Sequence, residues 1–71
     1  MLKCVLRNPD GVMVKSVDTA NCTLELTTDN NEALNYTQGD WFAKTELEYL
    51  QFHMSKEHEE LKTMCVDHVL C

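Results

Sequence analysis

Glycine and proline are nearly missing: Gly11, Gly39 and Pro9 are the only three among 71 residues. A loop that cradles phosphates needs several glycines in a short span, so nucleotide binding of that kind is excluded. Basic residues are also scarce, six against twelve acidic ones, for a net charge of −6. They nowhere cluster, which removes the electrostatic footprint of a nucleic-acid binder. No apolar run approaches the roughly 18 residues of a membrane span. The start, Met1-Leu2-Lys3-Cys4-Val5-Leu6-Arg7, is too interrupted by charge to read as a secretory leader. The expected setting is cytoplasmic, with reduced thiols and no direct contact with nucleic acid or membrane.

What is present suffices for a fold. Hydrophobic residues make up 44% of the chain, which argues against disorder. The expectation is a single domain over residues 1–71, near the lower size limit for autonomous folding. Chains this short commonly lean on a metal, a disulfide or a second subunit.

The firmest local signal is Asn8-Pro9-Asp10-Gly11. Pro9 presets the backbone for a type I turn and Gly11 takes the left-handed residue after it. That predicts a hairpin of residues 2–7 and 12–17 with Asn8 opposite Val12. Leu2, Cys4, Leu6, Val12 and Val14 then share the core face, and Lys3, Arg7, Met13, Lys15 and Val17 the wetter one. Cys22 to Thr28 alternates cleanly and reads as a third strand. Residues 33–37 read as a short fourth strand with Leu34 and Tyr36 inward, in preference to a loop leading to the helix.

From Gly39 onward the period changes. Asp40 is a favourable N-cap, and Ala43, Leu47, Leu50, Met54, Leu61, Met64 and His68 recur at helical spacing. With no Gly or Pro after Gly39, a continuous helix from Trp41 to about Val69 is expected in preference to a helical hairpin broken at Ser55. It would be about 44 Å long, roughly twice the length of the strands beneath it. The predicted fold is α+β: an antiparallel meander of three or four strands (residues 1–38) followed by one long C-terminal helix (39–71) packed on it. The overhanging helix then implies a homo-oligomer, favouring a dimer joined along Leu61, Met64, Cys65 and His68.

Three features could carry function. At about 100° per residue, Trp41 and Phe52 fall within about 20° of each other, with Tyr49 nearby, opposite the Leu47–Leu50–Met54 stripe. Aromatic rings on the unneeded face predict a protein-binding surface of Trp41, Tyr49 and Phe52, rimmed by Glu48 and Lys56. The bland alternative is that the sheet curls around them or a sister subunit covers them. Second, Cys65, His68 and Cys71 form a Cys-x2-His-x2-Cys run that could hold zinc, completed by Cys4 or Cys22. Against this, Cys65 and His68 already lie on the apolar stripe. Third, Glu46, Glu48, Glu57, Glu59, Glu60 and Asp67 give the helix a spaced acidic track that could imitate DNA toward a basic enzyme, although ordinary solubility explains it as well.

No constellation suits an enzyme. His53, His58 and His68 lie on one predicted element, and none is beside a nucleophile motif. The functional expectation is a small non-enzymatic binding protein, acting stoichiometrically as a regulator or inhibitor of the kind phages and mobile elements encode, an expectation that rests on size alone. The alternatives are a zinc-stabilised module, an acidic DNA mimic and an oligomer that binds a small molecule between subunits.

Overall fold

A computed structural model describes residues 1–70. The architecture is α+β. A four-stranded antiparallel sheet of order β3-β2-β1-β4 packs against one helix, with β1 Leu2–Arg7, β2 Met13–Asp18, β3 Thr23–Thr27, α1 Asp40–Met54 and β4 Cys65–Leu70. The helix is not the last element, because β4 follows it and returns to the sheet. No helix among the described residues is long and apolar enough to cross a membrane.

The first hairpin forms as its turn residues dictate. Gly11 has φ +87° and its N–H donates to Asn8 O at 3.0 Å, while Arg7 pairs with Met13. Asn8 is buried, and its Oδ1 accepts from the N–H groups of Asp10 (3.1 Å) and Val12 (2.8 Å), so one side chain closes the loop from inside.

Beyond that turn the predicted faces need correction. Residues 33–37 are not a strand. The segment instead hydrogen-bonds to both β1 and β2: Leu34 N–H donates to Val14 O (2.9 Å) and Tyr36 N–H to Cys4 O (2.8 Å). Asn35 Oδ1 accepts from Cys4 N–H at 3.2 Å. Tyr36 is buried as expected, whereas Leu34 is exposed. The face expected to be wet is covered by this loop. Lys3 is only 8% exposed, and its ammonium donates to the carbonyls of Asn30 (2.9 Å), Asn31 (3.0 Å) and Ala33 (3.0 Å). Val5, Met13 and Ala33, with Val69 against them, make a second small core there.

Register shifts between Val14 and Ser16, leaving Lys15 without a cross-strand partner. A bulge of this kind exchanges faces beyond it, so Val17 turns to the helix side beside Leu24 rather than away from it. Strand β3 begins one residue later than expected. Cys22 precedes it at φ 53° and is exposed.

Helix α1 buries Ala43, Leu47, Leu50 and Met54, the stripe anticipated from spacing. Its N-cap is Gly39 with φ 106°, so Asp40 is the first helical residue rather than the cap. The helix then stops at Met54, whose carbonyl accepts from both Glu57 N–H (3.2 Å) and His58 N–H (3.0 Å). The expected continuation to Val69 does not exist. Residues Glu59–Thr63 form a 3-10 turn, tied back by Gln51 Nε2 donating to Leu61 O at 2.9 Å. This turn delivers β4 to the free edge of β1, with register from Leu2↔Leu70 to Arg7↔Cys65. Pairing six residues of β1 on that edge satisfies backbone groups that a helical C-terminus would have left unpaired. The helix-length reason for dimerisation therefore disappears. Leu61 and Met64 are core residues of this same chain.

Candidate functional site

The outer face of α1 leaves three aromatic side chains uncovered. Trp41 is 79% exposed, Phe52 84% and Tyr49 43%. Trp41 and Phe52 are separated by three helical turns, about 16 Å along the axis. Exposed Thr45 and Glu48 complete the same stripe. His53 lies between two of the rings, with centroids 4.4 Å from Tyr49 and 4.9 Å from Phe52, the latter edge-on at 77°. The sheet does not curl around these residues, because the opposite face of the helix already supplies the buried stripe. Phe42 turns partly inward, 6.2 Å from the Tyr36 ring. Lys56 is exposed but sits in the turn beyond the helix, outside the stripe.

Residues expected to self-associate do not form one surface. Leu61 and Met64 are buried, Cys65 is exposed at the start of β4, and His68 is drawn to the helix start. The acidic track is divided as well. Glu46 and Glu48 are on α1, Glu59 and Glu60 are in the 3-10 turn, and Asp67 is on β4 beside Arg7 at 3.5 Å.

A second constellation arises from strand register. Cys4 on β1 and His68 on β4 are cross-strand partners, so both side chains leave the sheet on the helix side. The start of α1 sets Asp40 above them. Cys4 Sγ donates to Asp40 Oδ1 at 3.5 Å, and His68 Nε2 lies 2.8 Å from the same oxygen. The three potential ligand atoms are all within 4.8 Å of one another. Burial raises the Cys4 thiol above its ordinary value of 9.0, and its hydrogen bond to Asp40 and that group's negative charge act in the same direction.

Of the residues expected to bind metal, the structure brings together His68 and Cys4 only. Cys65 lies three positions from His68 on an extended strand, about 10 Å away along it and on the opposite face. Cys22 is remote in the β2–β3 turn, and Cys71 lies outside the described residues. Asp40 does not stand out as a ligand in the sequence, because its position before the helical pattern marks it as a cap. No local signal ties it to Cys4 and His68.

Beside this cluster, Tyr36 is buried with its hydroxyl unpartnered among the described residues. Burial raises its pKa well above the ordinary 10.0, reinforced by the negative charges of Glu46 and Cys4.

No family model, curated protein or solved structure matches this chain.

Proposed function

We propose that this chain is a non-catalytic protein-binding module that regulates or inhibits a target by occupying it through the outer face of α1. The observation that supports this reading is the exposure of Trp41 and Phe52 on one stripe of a helix whose other stripe already fills the core. Large rings in water cost solvation without adding to packing, and they are the residue types that anchor protein interfaces. The mode is a helix laid into an apolar groove, with Trp41 and Phe52 as end anchors. Glu48, one turn before Phe52, asks for a basic group in the middle of that groove.

A photo-crosslinking residue at Thr45, on the same stripe, tests the reading in a lysate of the native host. The expected product is one saturable adduct with a single partner, lost in both Trp41→Ala and Phe52→Ala while thermal stability is unchanged. A crosslink to a second copy of the chain assigns the stripe to self-pairing and overturns the separate target. Capture indifferent to both substitutions overturns the surface itself.

A further inference from the structure

We propose that Cys4, Asp40 and His68 form a three-ligand site for one divalent metal ion of the zinc class, with a fourth position open to solvent.

The donor set comes first. A thiol sulfur, a carboxylate oxygen and an imidazole nitrogen are the three side-chain ligands that zinc accepts. Calcium and magnesium prefer all-oxygen surroundings, so the sulfur and nitrogen select against them. The geometry agrees. Zinc bonds of about 2.0–2.3 Å at tetrahedral angles place neighbouring ligand atoms about 3.3–3.6 Å apart. Here Sγ to Oδ1 is 3.5 Å, inside that range, whereas Nε2 to Oδ1 is a hydrogen-bonded 2.8 Å that must open on binding, and every separation is within 4.8 Å. Adjustments of about an ångström in side-chain torsions therefore suffice to close the polyhedron.

Position adds a second line of support. The ligands come from β1, the first turn of α1 and β4, three elements far apart in sequence that the fold brings to one point. An ion there would tie both ends of the chain to the helix, a useful constraint in a domain of 71 residues. One side of the site is closed by Cys4, which is buried, and the other is open, since the Asp40 and His68 side chains are 66% and 42% exposed. That leaves room for a water or a ligand atom from a partner in the fourth position. On binding, the Cys4 thiol proton passes to solvent and Sγ bonds as thiolate. Neutral His68 carries its proton on Nδ1 and donates the Nε2 lone pair. No electrons are transferred. The site stands independently of the protein-binding role proposed for the helix face.

Cobalt(II) titration of the reduced, metal-stripped full chain provides the test. The expected result is thiolate-to-metal charge transfer and intense tetrahedral d–d bands saturating at one ion per chain, displaced by zinc. Trp41, next to Asp40, should report the same event by quenching. His68→Gln and Asp40→Asn, at exposed positions that leave the fold intact, should each weaken binding beyond the roughly 10–100-fold that an outer-shell partner costs. The triple variant Cys22→Ser/Cys65→Ser/Cys71→Ser should bind as the parent does. Absence of tetrahedral bands, binding indifferent to His68→Gln, or loss of binding in the triple variant would each overturn the site.

Discussion

Lys3 donates to the carbonyl of Ala33 at 3.0 Å from within the sheet face that the charge pattern marks as the wetter one. With the bonds to Asn30 and Asn31, all three ammonium protons have a backbone acceptor in one loop. Lys3 is thus the post on which residues 29–36 are hung, and that loop in turn positions Tyr36 beneath the helix.

Removing this post should be costly. Lys3→Met keeps the apolar stem but leaves the buried Ala33 carbonyl and the part-buried carbonyls of Asn30 and Asn31 without this donor. Hydrogen bonds to charged groups are worth about 1.5–3 kcal/mol, so a loss of about 2–3 kcal/mol in urea unfolding is expected. Lys3→Arg should not restore it, because a planar guanidinium cannot direct three protons to converging carbonyls. Parental stability in Lys3→Met would contradict the loop's dependence on this residue.

Asn8 plays the equivalent part in the first hairpin. Asn8→Ala deprives Asp10 and Val12 of their acceptor at a buried position, and about 2 kcal/mol should be lost. Asn8→Asp, which keeps an acceptor oxygen, should recover most of it. Chemical denaturation of the pair beside the parent checks both.

Tyr36 predicts the opposite sign. Its hydroxyl is buried without a partner among the described residues, so Tyr36→Phe removes an unpaid desolvation and should raise stability by about 1 kcal/mol near neutral pH. A thermal shift upward is the expected reading. A clear drop would show that the hydroxyl is held by a bond.

Stability should also decline in alkali. Both Cys4 and Tyr36 keep their protons in the fold to higher pH than their ordinary values of 9.0 and 10.0. The unfolded chain then binds fewer protons than the native one once pH passes those values. The contribution from each group is therefore complete below its unfolded value and is lost as pH rises through the folded one. Urea midpoints measured from about pH 8 to about pH 10.5, with a chelator present, should fall with pH. Cys4→Ala should remove the part that begins near 9, and Tyr36→Phe the part that begins near 10.

How far the sequence could be read depended on the range of the interactions. The Asn8–Gly11 turn and the Ala43–Leu47–Leu50–Met54 stripe are local, and both appear in the fold as spacing predicts. After Met54 the spacing misleads, because Leu61, Met64 and His68 fall at helical intervals by coincidence. What decides their structure is the open edge of β1, some sixty residues away, with which β4 pairs. The buried Lys3 is hidden for the same reason, since a charged residue looks wet until the loop that covers it is known, and the bulge at Lys15 follows from the β2–β3 register rather than from any local signal. Cys4 and His68 are of residue types that can ligate metal, and the sequence offers His68 with Cys65 and Cys71, Cys4 or Cys22 completing the set. The meeting of Cys4 and His68 with Asp40 depended on register and on where the helix begins.

The exposed rings remain the feature that most directly bears on function. The unfolding free energy of a Trp41→Ala/Phe52→Ala double variant should be measured beside the parent at two well-separated protein concentrations. If the stripe is a free surface kept for a target, stability should change by no more than about 0.5 kcal/mol at either concentration. A loss of about 3 kcal/mol or more, typical of truncating buried aromatic side chains, would mean the rings are already packed in the isolated protein and would contradict the binding role.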